Sequence, residues 1–572
     1  MEDRLYKNDT NKLYCRMLLD ILQARGVETI YLSPGSRNAP LLIGVSCRPF
    51  VRRIIPDERT AAFMALGEAM ASRKPVALIC TSGTALYNYA PAIAEAKYQS
   101  IPLIVITADR PTEWINQDDS QTLIQPGVLS NIVKASYDIP VEHQGNPSEE
   151  WYVNRIVNEA FNLAVSQKCG PVHINIHLDN PLTETISYKE SINRIIEIDD
   201  NQIFSHPHYK EISEELKEKK ILLVAGFTLP SKSLNVAINS FLKNPNVAIW
   251  CETLSNLHLS SKSYSIDTTF SILEREEMEG LREELRPDIV ISLGGSLISR
   301  KLKEYIRKYP PREHWTLGDT SASVDCFKSL TRHFCISPDT FFMGVSKIMN
   351  KYTVKSNSSY SQKWENIRNV AEKSHTKFLL RNTDWSELIA FKYILENLPS
   401  EYNLFLSNGT PVRYGQLFTN RLPNVSFGNR GVSGIDGTSA TAAGCAIAYP
   451  GPTLLITGDL SFSYDIGILG CKYLPDNFKI IVINNRGGGI FRFIPSTRNC
   501  EQRDEFFCAA PYLPVEKLAD AYEWNYVKIS SVKDMKSNFK SFISDSGKSI
   551  MEIFVDPEIS SSILLSYMSR PV

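Results

Sequence analysis

No apolar run in this chain approaches the roughly 18–20 residues that a bilayer span needs, so a transmembrane helix is not expected. The start, Met-Glu-Asp-Arg-Leu-Tyr-Lys, lacks the apolar core of a secretory signal. The 11 cysteines contain no Cys-x-x-Cys pair, and their odd, scattered set argues for reduced intracellular thiols over a disulfide framework or zinc site. Net charge is -1, which gives a nucleic-acid surface no support, and the basic cluster Lys217-Glu-Lys219-Lys220 reads as the coat of a solvated helix. There is no repeat of solenoid period and no long low-complexity tract. Gly-x-Gly-x-x-Gly is absent too; Gly294-Gly295-Ser-Leu-Ile-Ser299 supports a nicotinamide or flavin site only weakly. What remains is a cytoplasmic protein without nucleic-acid or membrane partners. With 43% hydrophobic and 22% charged residues over 572 positions, it should fold as about three or four domains.

The residues that carry chemistry centre on Thr457–Phe493. Pro452 to Thr457 reads as a buried strand ending at Gly458-Asp459, and Phe478 to Ile483 as a second ending at Asn484-Asn485. Asp465 to Tyr473 has helical spacing between them, so the unit is a parallel crossover. Both polar tips then lie at the carboxyl ends of parallel strands, where open α/β sheets bind ligands. Asp459 offers an anionic hard oxygen and Asn485 a neutral one. Mg²⁺ takes a few such oxygens and completes its shell with substrate phosphates at roughly 2.0–2.1 Å. Gly487, Gly488 and Gly489 let backbone approach closely and free a carbonyl as a third ligand.

The first third repeats this strand-and-loop grammar. Lys12 to Arg25 is helical and Glu28 to Leu32 a strand; then comes Ser33-Pro34-Gly35-Ser36-Arg37-Asn38, a kit suited to anions. Asp57-Glu58 opens a helix over Thr60–Arg73, where acids suit the helix dipole. The strand Pro75–Cys80 leads into Thr-Ser-Gly-Thr84 and a helix over Ala85–Lys97; the strand from Ile101 ends at Asp109-Arg110-Pro111, and Gln121-Thr122 follows. His173 and His177 are four apart, but Val172–Leu178 alternates as a strand does, which disfavours a helical metal pair. Ser187 to Leu216 is polar and reads as a linker plus helices. Strands at Lys220–Gly226, Val247–Cys251 and Asp288–Gly295, with a helix over Ser231–Lys243, build the middle.

Gly458-Asp459 with Asn484-Asn485 resembles the thiamine-diphosphate signature, which in that family holds Mg²⁺ (or Mn²⁺) and the cofactor diphosphate. Ser-Pro-Gly-Ser36-Arg37-Asn, Asp-Glu58-Arg-Thr-Ala-Ala-Phe, Cys-Thr-Ser-Gly-Thr-Ala and Ala-Asp-Arg110-Pro narrow the resemblance to one branch. They are similar to the MenD family, the 2-succinyl-5-enolpyruvyl-6-hydroxy-3-cyclohexene-1-carboxylate synthases of menaquinone biosynthesis. The likeness covers the first and last thirds well, and the middle third diverges.

That resemblance implies an α/β fold of three domains with mainly parallel sheets flanked by helices: a pyrimidine-binding domain over 1–186, a central domain over 187–360 and a diphosphate- and Mg-binding domain over 361–572. Glu58 takes the place of the glutamate that protonates N1′ of the cofactor's aminopyrimidine, which is acid–base work. Cofactor contacts fall on Gly409, Thr410, Ile435, Gly458, Asp459, Leu460, Ser461, Asn485, Gly487 and Ile490, and the metal on Asp459, Asn485 and Gly487. Relatives show Gly-Asn-Ser where this chain has Ser407-Asn408-Gly409, so a hydroxyl expected at 409 is missing and Thr410 is its candidate substitute. Ile435 is the apolar wedge that keeps the cofactor bent. Arg37, Arg110, Arg413, Arg430, Arg300 and Lys301 face the dianions 2-oxoglutarate and isochorismate; Ser36 and Gln121 orient them, and Ile490 and Phe491 wall the pocket. Arg300 and Lys301 read alone are a helix-surface pair, and an Ile beside glycines is ordinary core. A segment over Glu501–Phe507 covers the site with Phe507 facing in. The family pairs its pyrimidine and diphosphate domains across a subunit boundary, which implies a homodimer or a tetramer built from two. The nearest rival is a thiamine enzyme of acetolactate-synthase or 2-oxoacid-decarboxylase type. A binding protein on a dead scaffold and a nicotinamide oxidoreductase are the others.

Overall fold

The computed structural model describes residues 5–143, 146–166, 168–189, 193–197, 206–259, 265–318, 324–351, 360–421, 425–510 and 512–569. Short β1 (Asn8–Thr10) pairs antiparallel with β8 (Thr185–Ser187). Between them, in chain order, lie β2 (Thr29–Leu32), β3 (Val51–Ile54), β4 (Val76–Cys80), β5 (Leu103–Asp109), β6 (Ser136–Ile139) and β7 (Val172–His177), forming a six-stranded parallel sheet of order β3-β2-β4-β5-β7-β6. A second parallel sheet, β10-β9-β11-β12-β13, uses β9 (Ile221–Ala225), β10 (Val247–Cys251), β11 (Ile289–Leu293), β12 (Glu313–Gly318) and β13 (Leu330–Cys335). The third holds β14 (Asn403–Leu406), β15 (Val425–Phe427), β16 (Thr453–Gly458), β17 (Phe478–Asn484), β18 (Asn525–Ile529) and β19 (Ser549–Phe554) in the order β15-β14-β16-β17-β19-β18, all parallel.

Apolar continuity explains the central strands. Every residue of β4, β5 and β9 is buried, as a parallel strand covered on both faces requires. β3 escapes that pattern: Val-Arg-Arg-Ile is an edge strand, half exposed, with two arginines. Lys217 to Lys219 form a turn between the helix His206–Leu216 and β9, so the basic cluster does not coat a helix as expected. That helix lies in the polar stretch 187–216, most of whose remainder is outside the described residues. His173 and His177 both lie on β7, as the alternating pattern implies, and His173 faces hydroxyls, Thr107 Oγ1 at 2.8 Å and Ser136 Oγ at 3.0 Å.

The crossover between β16 and β17 departs from the expected helix over 465–473. A short α-helix occupies Asp459–Tyr464 and a 3₁₀ turn Ile466–Gly470. Asp465 breaks the run because its carboxylate is committed elsewhere: Oδ1 accepts the Gly437 amide at 3.0 Å and Oδ2 the Ser439 amide at 2.9 Å.

Two compact units result. One comprises residues 1–200, 429–450 and 464–475; the other comprises 201–428, 451–463 and 476–572. In the first, the helix Glu58–Ser72 packs on the helix Thr438–Ala448 almost backbone to backbone. A Cβ on Gly67 would overlap the Thr441 carbonyl and stand 2.9 Å from Cys445 N; one on Gly444 would overlap the Met64 carbonyl and stand 2.8 Å from Glu68 N. In the second, the middle and last thirds are joined by polar ties. Gln416 Oε1 accepts the Thr253 amide at 2.6 Å, and Asn256 Oδ1 accepts the Ser426 amide at 2.8 Å.

Candidate functional site

In the first unit the candidate residues collect just past the carboxyl ends of β2, β3, β4 and β5. Glu58 is the first residue of its helix, and it is not the cap. Asp57 fills that role, accepting the Arg59 amide at 3.2 Å, so Glu58 is left half-buried, accepting from Asn88 Nδ2 at 3.4 Å. Arg37 is buried and donates to the Leu178 carbonyl at 2.8 Å; burial, then the nearby charge of Arg110, lowers its pKa. Arg110 ion-pairs with Asp119. Two guanidiniums thus stand near each other past the ends of β2 and β5, an arrangement that an anion would relieve. Gln121 has a left-handed backbone, φ 61, and donates through Nε2 to the Ser82 carbonyl at 3.1 Å. Ser36 is exposed. Arg430 is buried and Ile435 half-buried, on the loop that leads into the helix Thr438–Ala448. Burial raises Asp465, beneath that loop, to about 6, against the pull of Ser439, Arg59 and Gly437.

The second unit carries the candidate diphosphate and metal residues at the carboxyl ends of the adjacent strands β14, β16 and β17. Asp459 Oδ2 accepts the Gly487 amide at 2.8 Å and Oδ1 the Leu460 amide at 2.7 Å, which ties the two loop tips together. Burial still raises its pKa. Gly487 has φ 88, and a Cβ there would meet the Cys508 carbonyl and lie 2.9 Å from Ala510 Cα, so only glycine fits. Asn485 is buried and gives Nδ2 to Glu387 Oε1 at 2.7 Å, which turns Oδ1 away from that carboxylate. Ser461 is buried and Leu460 half-buried. Ile490 and Phe491 are half-buried in the 3₁₀ turn Gly489–Arg492, and the Phe491 ring sits 5.7 Å from that of Phe507. The segment expected to cover the site is a π-helical turn, Arg503–Cys508, held by Arg503 bonds to Asp504 at 3.0 Å and Glu558 at 2.9 Å.

These residues fit a magnesium diphosphate. Among the described residues no trio of His, Cys, Asp or Glu gathers for a metal, but Mg²⁺ shared with phosphates needs only a few protein oxygens. Asp459 and Asn485 supply hard oxygens, with the Gly487 carbonyl as the third candidate. Beside them the backbone is bare: a Cβ on Gly409 (φ 89) or Gly458 would meet nothing within 4 Å. This gives a direct expectation. Gly458→Ala is free of clash and of strain, so thermal unfolding should not change, whereas thiamine diphosphate affinity in a fluorescence titration should fall about tenfold, the size of one lost charge-assisted contact.

Cations gather in this unit as well. Asp267 accepts the Ser299 hydroxyl at 2.5 Å; burial raises its pKa while Ser299, Lys301 and Arg413 pull it down, which puts both cations near one carboxylate. Lys301 also pairs with Glu274, and Arg413 donates to the Gly409 carbonyl. Arg300 is exposed and pairs with Glu304 one turn along its helix.

Two further acids stand behind the candidate loops. Glu387, first residue of the helix Glu387–Asn397, is raised to about 7 by burial, against bonds from Asn485 and Thr410 and with the charge of Asp459 pushing it higher. Thr410, the candidate hydroxyl of the diphosphate loop, therefore lies against Glu387. Glu95 is buried on the helix Ala85–Gln99 and accepts the amides of Gly431 at 2.6 Å and Val432 at 2.8 Å, fixing the loop after Arg430. A lone acid among apolar helix positions was the available sequence signal for both.

Comparison with known proteins identifies the family. The family described as "Thiamine pyrophosphate enzyme, N-terminal TPP binding domain" matches residues 14–128, and "Thiamine pyrophosphate enzyme, C-terminal TPP binding domain" matches 409–553. The chain is 37% identical over 562 residues to the 2-succinyl-5-enolpyruvyl-6-hydroxy-3-cyclohexene-1-carboxylate synthase of Porphyromonas gingivalis, covering 97% of this chain and 96% of that protein. The identically named proteins of Flavobacterium johnsoniae and Flavobacterium psychrophilum are 35% and 37% identical, each over 97% of this chain and 98% of its own length. Two thiamine-binding domains and near-complete coverage by synthases of one name place the chain plainly: it belongs to the 2-succinyl-5-enolpyruvyl-6-hydroxy-3-cyclohexene-1-carboxylate synthase family of thiamine-diphosphate enzymes.

Proposed function

We propose that this thiamine-diphosphate enzyme decarboxylates 2-oxoglutarate and joins the remaining four-carbon fragment to the unsaturated ring of isochorismate. Carbon dioxide leaves, and the product keeps the enolpyruvyl ether named in its relatives. The observation that carries the reading is similarity along 97% of the chain to synthases named for that product. When bound, thiamine diphosphate supplies an electron sink for the carbanion equivalent left by decarboxylation. The chain's own residues do the rest. Glu58 holds and returns a proton at the ring nitrogen of the aminopyrimidine. Asp459, Asn485 and the Gly487 carbonyl would hold Mg²⁺ or Mn²⁺, and Gly409, Thr410, Gly458, Leu460 and Ser461 would line the diphosphate, with Ile435 and Ile490 against the rings. Arg37, Arg110, Arg413, Arg430, Arg300 and Lys301 take substrate carboxylates, Ser36 and Gln121 orient them, and Ile490 and Phe491 exclude water. Two dianionic substrates need several cations in a dry pocket, each charge-assisted contact contributing about 1.5–3 kcal/mol.

The division into 1–186, 187–360 and 361–572 belongs to the same reading, as does a cytoplasmic location. All 11 cysteines are free thiols, and among the described residues no helix is long and apolar enough to cross a membrane. Carbon dioxide release tests the donor: 2-oxoglutarate should be decarboxylated and pyruvate should not, and the reverse preference would favour an acetolactate-synthase type. The reading includes a homodimer, alone or paired into a tetramer, in which Glu58 of one chain serves the diphosphate residues of another. Mixing inactive Glu58→Gln and Asp459→Asn chains should then restore about a quarter of wild-type activity, because one site in each mixed dimer is intact. No recovery after demonstrated subunit exchange would rule that arrangement out.

A further inference from the structure

We propose that Glu387 is a positioning residue that sets the orientation of the Asn485 amide and so presents its oxygen to the metal. This rests on Asn485 being a metal ligand. An amide side chain has two nearly isosteric ends, and only one of them ligates a cation. Left alone, Asn485 could present its NH₂ group as readily as its oxygen. Glu387 removes that freedom. Asn485 Nδ2 donates to Glu387 Oε1 at 2.7 Å, and with that end committed Oδ1 is directed to the other side.

The surroundings hold the pair rigid. Both residues are buried, Glu387 at 2% exposure and Asn485 at 3%. Glu387 is anchored at the start of its helix, where its own amide donates to Ser560 Oγ at 3.2 Å, and its neighbour Trp385 donates to the Phe554 carbonyl at 2.7 Å. Gly489 packs on the same amide; a Cβ there would overlap Nδ2 and lie 3.0 Å from Asn485 Cγ. The amide is thus held by a carboxylate and a bare glycine, neither of them among the candidate metal ligands. Groups that orient a ligand in this way typically change metal affinity by about 10–100-fold when removed.

The test is Mn²⁺ binding, followed by the loss of the free-ion electron paramagnetic resonance signal in the presence of thiamine diphosphate, so that turnover plays no part. Glu387→Met keeps the volume but removes the acceptor, and Mn²⁺ affinity should fall about 10–100-fold. Glu387→Gln keeps an oxygen for Nδ2 and should restore affinity to within a few-fold of wild type. Glu387→Asp keeps the charge but withdraws the acceptor by one methylene; it should weaken Mn²⁺ about tenfold and carries the test if the Met variant does not fold. Wild-type affinity in a folded Met or Asp variant would overturn the proposal. Equal loss in Gln and Met would also overturn it, because charge and not orientation would then be the cause. A wild-type enzyme that binds thiamine diphosphate but no Mn²⁺ would be a different failure: it would remove the metal-site reading, and this proposal with it.

Discussion

Glu58→Gln should lower turnover by about 10²–10⁴-fold, the usual worth of a positioned acid–base group, while the protein folds and binds thiamine diphosphate as before. Sequence position alone does not distinguish a catalytic acid from a helix-starting one, since Asp57 and Glu58 stand together at the same terminus. The structure divides the two roles. Asp57 carries the capping bond to Arg59, and its other oxygen accepts the Thr60 hydroxyl. Glu58 makes neither; among the described residues its side chain takes the long hydrogen bond from Asn88 at 3.4 Å, which a Gln oxygen can accept equally well. The substitution therefore removes a proton-transferring carboxyl and little else. Asp57→Asn is the matched control, because its one amide oxygen keeps the capping bond while its NH₂ can donate to the Thr60 hydroxyl, and it should leave turnover within a few-fold of wild type. Steady-state kinetics, thermal unfolding and cofactor titration on both variants separate the roles. Turnover within fivefold in Glu58→Gln would make Glu58 a helix-start acid after all.

Gly67→Ala should destabilise the first unit by about 3 kcal/mol or more, because the added carbon meets backbone that no rotamer change can move. At Gly67 the Cβ would collide with the Thr441 carbonyl and crowd Cys445 N, and the reciprocal close approach at Gly444 shows that the helices touch on both sides. Separating them would also disturb Gly437 and Ser439, whose amides bind Asp465 at the start of the second helix. The thermal transition should fall by roughly 6–12 °C, or soluble protein should be lost. Gly280→Ala supplies the contrast. A Cβ there meets nothing within 4 Å, so that change should be neutral or stabilise slightly, by about 0.5–1 kcal/mol. Similar transitions for the two variants would mean that the close helix crossing does not hold.

The sheets were legible where burial made the chain uniformly apolar. Val76–Cys80, Leu103–Asp109, Val247–Cys251 and Phe478–Asn484 stand where continuous hydrophobic runs place them. The edge strand Val51–Ile54 was not legible, because an exposed edge tolerates Arg52 and Arg53 and so loses the pattern. The crossover helix expected over Asp465–Tyr473 failed for another reason: the helical turn lies before it, over Asp459–Tyr464, and the fold spends the Asp465 carboxylate on the amides of Gly437 and Ser439. In the candidate site, residues on glycine-rich tips announced themselves because tips combine polar groups with unusual backbone. Asp459 and Asn485 were readable in that way. Glu387 and Glu95 were not. Each is a single acid on an otherwise apolar helix face, and its meaning appears only when Asn485 or Gly431, distant in the chain, is folded against it.

Purified protein should be given thiamine diphosphate, Mg²⁺, 2-oxoglutarate and freshly generated isochorismate, and the loss of isochorismate absorbance followed. Consumption should require all four additions and should cease when pyruvate replaces 2-oxoglutarate. If isochorismate persists while the cofactor is demonstrably bound, or if pyruvate is turned over with no need of isochorismate, the chain carries out a different thiamine reaction from the one its site and relatives support.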